Sequence, residues 1–277
     1  MSRQLIQSRL ANVEYIQLQV SGDFLRAVAR TIELTQPKFT KIPMIRLGEN
    51  HDGGYVVAPI FESNLCLNLG VGFEVSADLD LVGRDFKIYA FDGTVPNPIP
   101  EVPAYNFTQK NIGYTQEGET FITLKEIFKK YPKLDDLDLI LIDIEGFEHQ
   151  VLHEEIDFVV KAKQIVVEFH GLELLADSQF AESFIQTLNQ ITRTHVPIHV
   201  HANNAGGALP LGGSSWPTIL EVTFLLKEYC TESINYGPFP GLLDYPNSSQ
   251  RPDMDLNPFY GFNQTYASLR RAILGID

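Results

Sequence analysis

Leu65-Cys66-Leu67-Asn68-Leu69-Gly70-Val71-Gly72 is the stretch whose reading decides the fold. Its first five residues have the length and apolar content of a buried parallel strand, and the run breaks at two glycines. Gly70 and Gly72 let the backbone turn and let a ligand approach, and Ser76 stands where it can cap a following helix. Further on, Lys87-Ile88-Tyr89-Ala90-Phe91 repeats the apolar run and ends in Asp92. An acid at the tip of that second strand can accept hydrogen bonds from both hydroxyls of a ribose. The pair therefore points to a nucleoside held over the carboxyl ends of a Rossmann-like sheet.

The third glycine of the dinucleotide fingerprint is missing, because Val75 and Ser76 occupy its place. That counts against NAD or FAD, whose pyrophosphate needs the close backbone approach. It does not count against S-adenosylmethionine, which carries no pyrophosphate and needs only the turn and the acid.

Outward from this stretch, strands and helices alternate, the signature of a mostly parallel sheet with helices on both faces. Tyr105 to Asn111 reads as a third strand. Thr123-Leu124-Lys125-Glu126 is a capping box opening a short helix through Tyr131, and Pro132 helps stop it. Leu137 to Ile142 forms a fourth strand, Ile165-Val166-Val167 a fifth, and a helix over 177–192 leads to a sixth at Pro197 to His201. The last strand, Ile219 to Leu226, follows after a segment rich in Gly, Ala, Ser and Pro that has no room for a crossover helix. The connection is therefore antiparallel, which gives a seven-stranded sheet with an antiparallel last strand. Upstream, Leu5, Ile6, Leu10, Val13 and Ile16 fall at helical spacing, as do Phe24, Leu25, Val28, Ala29 and Ile32. Two apolar runs around Asp52-Gly53-Gly54 signal a hairpin between these helices and the sheet. The expected organisation is a helical extension over 1–44, a catalytic domain over 45–230, and a loop-rich tail over 231–277. The apolar anchors of that tail, among them Tyr236, Phe239 and Tyr260, suit a belt packed over the last strand or a lid beside the substrate.

Composition narrows the function. Twenty-one Lys and Arg against 35 Asp and Glu give a net charge of −14, which repels phosphate backbones, so nucleic acid is not an expected substrate. Cys66 and Cys230 have no near partner and form neither a disulfide framework nor a zinc spacing. No apolar run is long enough for a signal peptide or membrane span, and a cytoplasmic protein is expected.

The chain resembles the FkbM-type branch of class I methyltransferases. The likeness rests on Leu-Asn-Leu-Gly-Val-Gly at 67–72, Tyr-Ala-Phe-Asp at 89–92, Thr-Leu-Lys-Glu at 123–126 and Asp-Leu-Ile-Leu-Ile-Asp-Ile-Glu-Gly-Phe-Glu at 138–148. It implies a Rossmann-like methyltransferase dependent on S-adenosylmethionine, acting on a small-molecule or glycan acceptor, with O-methylation of a sugar or related hydroxyl as the expected reaction. It also implies the adenine near Asn111, and a cofactor site comprising Asn68, Gly70, Gly72, Asp92, Asn111 and Asp143. Asn68 stands where many class I enzymes carry an acid, and the fourth strand reads Leu-Ile-Asp where the family more often has Lys-Ile-Asp.

A hydroxyl acceptor must lose its proton during attack, which calls for a general base or an acidifying metal ion. Candidates gather at three strand ends: Asp143 and Glu145, then Glu168 and His170, then His199, His201, Asn203 and Asn204. His170 or His201 is the expected base, because imidazole titrates near neutrality, with Asp143 and Glu145 beside it. Asp143, Glu168 and Asn203 form the alternative, a set of oxygen ligands for magnesium. Two other functions remain open from the residues alone: a nicotinamide oxidoreductase, and a non-catalytic S-adenosylmethionine-binding protein.

Overall fold

A computed structural model describes residues 22–113, 119–211 and 213–261. The first expected helix, Leu5 to Ile16, lies outside the described residues. The chain then runs α1 (Gly22–Thr35), β1 (Lys38–Thr40), β2 (Ile45–Leu47), β3 (Tyr55–Val57), β4 (Leu65–Leu69), α2 (Ser76–Gly83), β5 (Lys87–Phe91) and β6 (Tyr105–Thr108). It continues through β7 (Asn111–Ile112), β8 (Phe121–Ile122), α3 (Leu124–Lys130), β9 (Leu139–Ile142), α4 (Glu148–Val159), β10 (Gln164–His170) and α5 (Ser178–Ile191). The last elements are β11 (His195–Ala202), β12 (Ala208–Leu211), β13 (Ser214–Pro217), β14 (Ile219–Leu226), β15 (Cys230–Ile234) and α6 (Asn257–Tyr260).

Seven strands form the main sheet in the order β11-β14-β10-β9-β4-β5-β6. β4 pairs in parallel with β5 and β9, whereas β14 runs antiparallel between β10 and β11. This is the Rossmann-like methyltransferase sheet that the short, glycine-rich final connection predicts. That connection is not bare loop, since β12 and β13 form an antiparallel ribbon within it. The third strand is shorter than expected: it ends at Thr108, whose carbonyl accepts from Lys110 N, and Asn111 starts a separate pairing with β8.

Burial follows the sequence pattern. All four residues of β9 are buried, and six of the seven in β10, as strands covered on both faces require. Phe24, Val28 and Ile32 of α1 and Phe239 and Tyr260 of the tail belong to the same apolar cluster as β4, β9 and β10, so both flanking segments pack on the sheet. The capping box is present: Thr123 accepts from Glu126 N while the Glu126 side chain accepts from Thr123 N. Ser76 is not a helix cap. It is the first residue of α2, and its hydroxyl donates to Glu74 and accepts from Glu49 N.

The β2–β3 hairpin forms as expected and leans on the glycine turn. A Cβ on Gly53 would stand 1.9 Å from Glu74 Oε2, and one on Gly48 would stand 2.9 Å from Ala77 N. The hairpin tip thus sits on the start of α2. At the opposite end of the sheet, buried Asp138 accepts from the backbone N–H groups of Glu62, Ser63 and Asn64 and from Lys163, which fixes the entry to β4. Among the described residues no helix is long and apolar enough to cross a membrane.

Candidate active site

Strand register sets the polar residues in one transverse row along the carboxyl rim. Leu69 is paired with both Ile142 and Phe91, so the next residues place Gly70 between Asp143 and Asp92. Ile142 is paired with Val167, which sets Asp143 beside Glu168. Glu168 is then opposite Glu221, and Glu221 opposite His201.

The two glycines of the opening turn do different things. Gly70 has φ +82°, and a Cβ there would lie 1.6 Å from the Asp143 carbonyl oxygen, so its bareness is demanded by the neighbouring strand end. Gly72 has φ +61° and nothing within 4 Å of a built Cβ. It is the one that borders open space. Asp92 braces this turn: Oδ2 accepts from Val71 N and Gly72 N at 2.9 and 2.8 Å, and Oδ1 accepts from the backbone and hydroxyl of Thr94, both at 2.6 Å. Burial pushes its carboxyl up, but the donors from Gly72, Thr94 and Val71 outweigh that and hold it below the usual range. Asn111 joins this end of the row, its amide close enough to Gly93 that a Cβ there would lie at 2.5 Å. Asn68 points elsewhere: its amide donates to both oxygens of buried Asp78 on α2. Burial raises the Asp78 carboxyl to about 7.

In the middle of the row Asp143, Glu145, Glu168 and His170 converge. His170 Nδ1 lies 3.1 Å from Glu148 Oε1, while Nε2 lies 3.8 Å from Glu168 Oε1 and 3.9 Å from both Asp143 Oδ1 and Glu145 Oε2. Glu148 is fully buried and also accepts from Ile144 N and Gly146 N. It stands in the quoted 138–148 motif, but only the fold shows that it holds His170. Glu145 occupies a left-handed conformation at φ +54°, uncommon for a residue with a Cβ. Burial alone would lower the His170 imidazole, but the Glu148 hydrogen bond and the Glu148, Glu168 and Asp143 charges raise it to about 10. Burial raises Asp143 to about 7, opposed by His170 and reinforced by Glu148. It also pushes Glu168 well up, with Asp143 and Glu221 adding to it. Asn203 orients Glu168, donating to Oε1 at 2.6 Å while its own oxygen accepts from Ala205 N.

The far end of the row is sealed by the tail. His201 places Nδ1 3.3 Å from Glu221 and Nε2 3.0 Å from Asp253, and His199 donates to Asp244 at 2.7 Å. Asn204 exchanges hydrogen bonds with Ser248 and donates to the Arg251 carbonyl. Asn247 bridges Glu221 to Asp52 of the hairpin, so both flanking segments reach the rim. Both His201 nitrogens are engaged by carboxylates, which leaves no lone pair to accept a proton and gives that ring the part of a clamp. A glutamate inside the apolar run Ile219 to Leu226 was the sequence signal for Glu221; Asp253 and Asn247 carried none.

The clamp has a pH signature. Burial would lower His201, but its hydrogen bonds to Asp253 and Glu221 raise it from the ordinary 6.5 to about 10. A folded value above the unfolded one stabilises fully below about pH 6.5 and is lost as pH climbs toward 10. Urea unfolding is expected to show stability falling across that window, and His201→Gln to flatten the decline. An unchanged slope in that variant contradicts the clamp.

From His170 and Glu145 a groove of about 620 Å³ runs between α4, the start of α5 and the Gly206-Gly207 segment. His149 Nε2 donates to the His170 carbonyl, so its Nδ1 carries the lone pair. That Nδ1, His153 Nδ1 and Glu173 Oε2 are buried atoms with no hydrogen-bond partner. Burial lowers the His149 imidazole and keeps it neutral.

A family model, the methyltransferase FkbM domain, matches residues 44–194. No curated protein matches the chain. Among solved structures, the fibrillarin/Nop5p complex is 14% identical over 58% of this chain and 72% of that one, with a TM-score of 0.36. Precorrin-6y C5,15-methyltransferase from Geobacter metallireducens is 15% identical over 59% and 78%, with a TM-score of 0.33. A TehB-like SAM-dependent methyltransferase from Corynebacterium glutamicum is 13% identical over 81% and 97%, with a TM-score of 0.34.

Proposed function

Because the chain belongs to the methyltransferase FkbM family and is S-adenosylmethionine-dependent, we propose that it transfers methyl to a hydroxyl of a sugar or a related polyhydroxylated acceptor. The groove supports this reading. Its wall carries His149, Gln150, His153, Glu173, Gln179 and Ser183, and no Lys or Arg among the described residues. A neutral polyhydroxylated ligand can exchange hydrogen bonds with these amide, hydroxyl and imidazole groups, whereas an anionic acceptor is repelled by Glu145, Glu154, Glu173 and Asp177 of the same lining. Phe180 adds an aromatic face of the kind on which sugar rings stack.

The residues at the other end of the row suit the cofactor. Gly72 borders open space, Asp92 already accepts from the Thr94 hydroxyl on the oxygen where a ribose hydroxyl would donate, and Asn111 flanks them. S-adenosylmethionine, when bound, supplies an electrophilic methyl group on sulfur. The chain's own residues align the acceptor hydroxyl behind that group and receive its proton in the carboxylates around His170. His170, expected as the base, is already protonated among these carboxylates and orients them instead; Asp143 takes the proton, and Glu145 at the mouth of the groove passes it to solvent. The products are a methyl ether and S-adenosylhomocysteine.

The test is radiolabelled methyl transfer to a panel of neutral glycosides, amines and sugar phosphates. Label in a base-stable ether of a neutral glycoside, lost in His149→Ala while S-adenosylhomocysteine binding persists, is expected. Transfer confined to amines or phosphorylated acceptors overturns the hydroxyl reading. Retained binding with no transfer to any acceptor favours the non-catalytic alternative.

A further inference from the structure

We propose that Asp143, Glu168 and His170 form a binding site for a divalent metal ion at the centre of the rim. One atom from each, His170 Nε2 and a carboxylate oxygen from each acid, lies within 4.8 Å of the others. His170 Nε2 stands 3.9 Å from Asp143 Oδ1 and 3.8 Å from Glu168 Oε1, too far for a hydrogen bond. Asp143 Oδ1 is shut off from solvent and has no hydrogen-bond partner at all. Three atoms each about 2.1 Å from one ion average at most about 3.6 Å apart, so an inward shift of each by less than an ångström brings all three into contact with it.

The surroundings are those of a metal ligand set. His170 Nδ1 is held by Glu148, itself pinned by two backbone amides, so the ring is oriented with Nε2 facing Asp143, Glu168 and Glu145. A ligating histidine tied through its other nitrogen to a carboxylate is the usual outer-sphere support of a metal. Asn203 holds Glu168 in the same way; expected as a ligand, it instead supports one, because its oxygen is engaged by Ala205 N. Glu168 also faces Glu221 directly across the sheet. One imidazole with two carboxylates suits Mn²⁺ or Zn²⁺ better than Ca²⁺. Such an ion would acidify an acceptor hydroxyl entering from the groove, which deepens the O-methylation reading, although the site itself rests on the cluster alone.

Titrating the metal-free full chain with MnCl₂, ZnCl₂ and MgCl₂ separately, by calorimetry and by Mn²⁺ electron paramagnetic resonance, tests it without any donor or acceptor. One ion per chain is expected for Mn²⁺ or Zn²⁺. Affinity should fall more than tenfold in Asp143→Asn and in His170→Gln, and about tenfold in Glu148→Gln. Circular dichroism and urea unfolding report that each variant is folded, and S-adenosylhomocysteine binding by the wild type tests the methyltransferase reading separately. No binding of Mn²⁺ or Zn²⁺ by the wild type, or binding unchanged in folded Asp143→Asn and His170→Gln, overturns the site.

Discussion

Gly70→Ala is expected to lose most of the stability of the protein, by about 4 kcal/mol or more, whereas Gly72→Ala, two residues away, costs about 1–2 kcal/mol. Both residues have positive φ, so both substitutions pay the strain of a left-handed side-chain-bearing residue. Only Gly70 adds a collision: its new methyl would stand 1.6 Å from the Asp143 carbonyl oxygen, a backbone atom tied into the β9 end. Relief requires parting β4 from β9 at the centre of the sheet. Urea unfolding followed through the buried Trp216 measures the difference. The assignment fails if Gly70→Ala unfolds within about 1 kcal/mol of wild type. Gly72→Ala is informative in the other direction, because its methyl projects into the space the cofactor would use; a folded variant with weakened S-adenosylhomocysteine binding is expected.

Asp92→Ala is expected to reduce S-adenosylhomocysteine affinity at least 100-fold, about 3 kcal/mol, with a smaller loss of stability. Two causes act together. The carboxylate that would receive the ribose hydroxyls is gone, and the amides of Val71 and Gly72 lose the acceptor that shapes the turn. Thr94→Val separates them. It removes only the hydroxyl donor on Oδ1, leaves the Val71 and Gly72 contacts in place, and should bind S-adenosylhomocysteine as well as or better than wild type. Calorimetric titration of the two variants reads this directly. If Asp92→Ala binds as tightly as wild type, Asp92 is a brace for the turn and not a ligand of the cofactor.

Much of the fold was legible because it rests on local chemistry. The apolar runs at Leu65–Leu69, Leu139–Ile142 and Ile219–Leu226 have strand length and strand composition, and the capping box at Thr123 declares its own helix start. The antiparallel last strand followed from a connection too short for a crossover. Ser76 misled because a serine before a helix is a common cap; here the helix begins one residue earlier than that role requires, and contact with Glu49 and Glu74 claims the hydroxyl.

The candidate site was legible in part. Asp143, Glu168, His170 and Asp92 stand at strand ends, where parallel sheets present side chains to ligands, and the register does bring them into one row. Which partner each one takes is a matter of tertiary contact. His170 and His201 are alike in sequence, each a histidine near the end of an apolar strand. Yet one turns an unpaired nitrogen toward three carboxylates, while the other is locked between Glu221 and Asp253.

The chain alone thus determined the succession of strands, the antiparallel last strand, the glycine turn and the acid that follows it, because steric freedom, connection length and apolar periodicity are properties of neighbouring residues. Tertiary structure decided which histidine is clamped, that Glu148 holds His170, that the tail and hairpin meet over the rim, and which side chains line the groove. These depend on residues tens or hundreds of positions apart, and a hydrogen bond or an ion pair exists only once folding has set its two ends within about 3 Å.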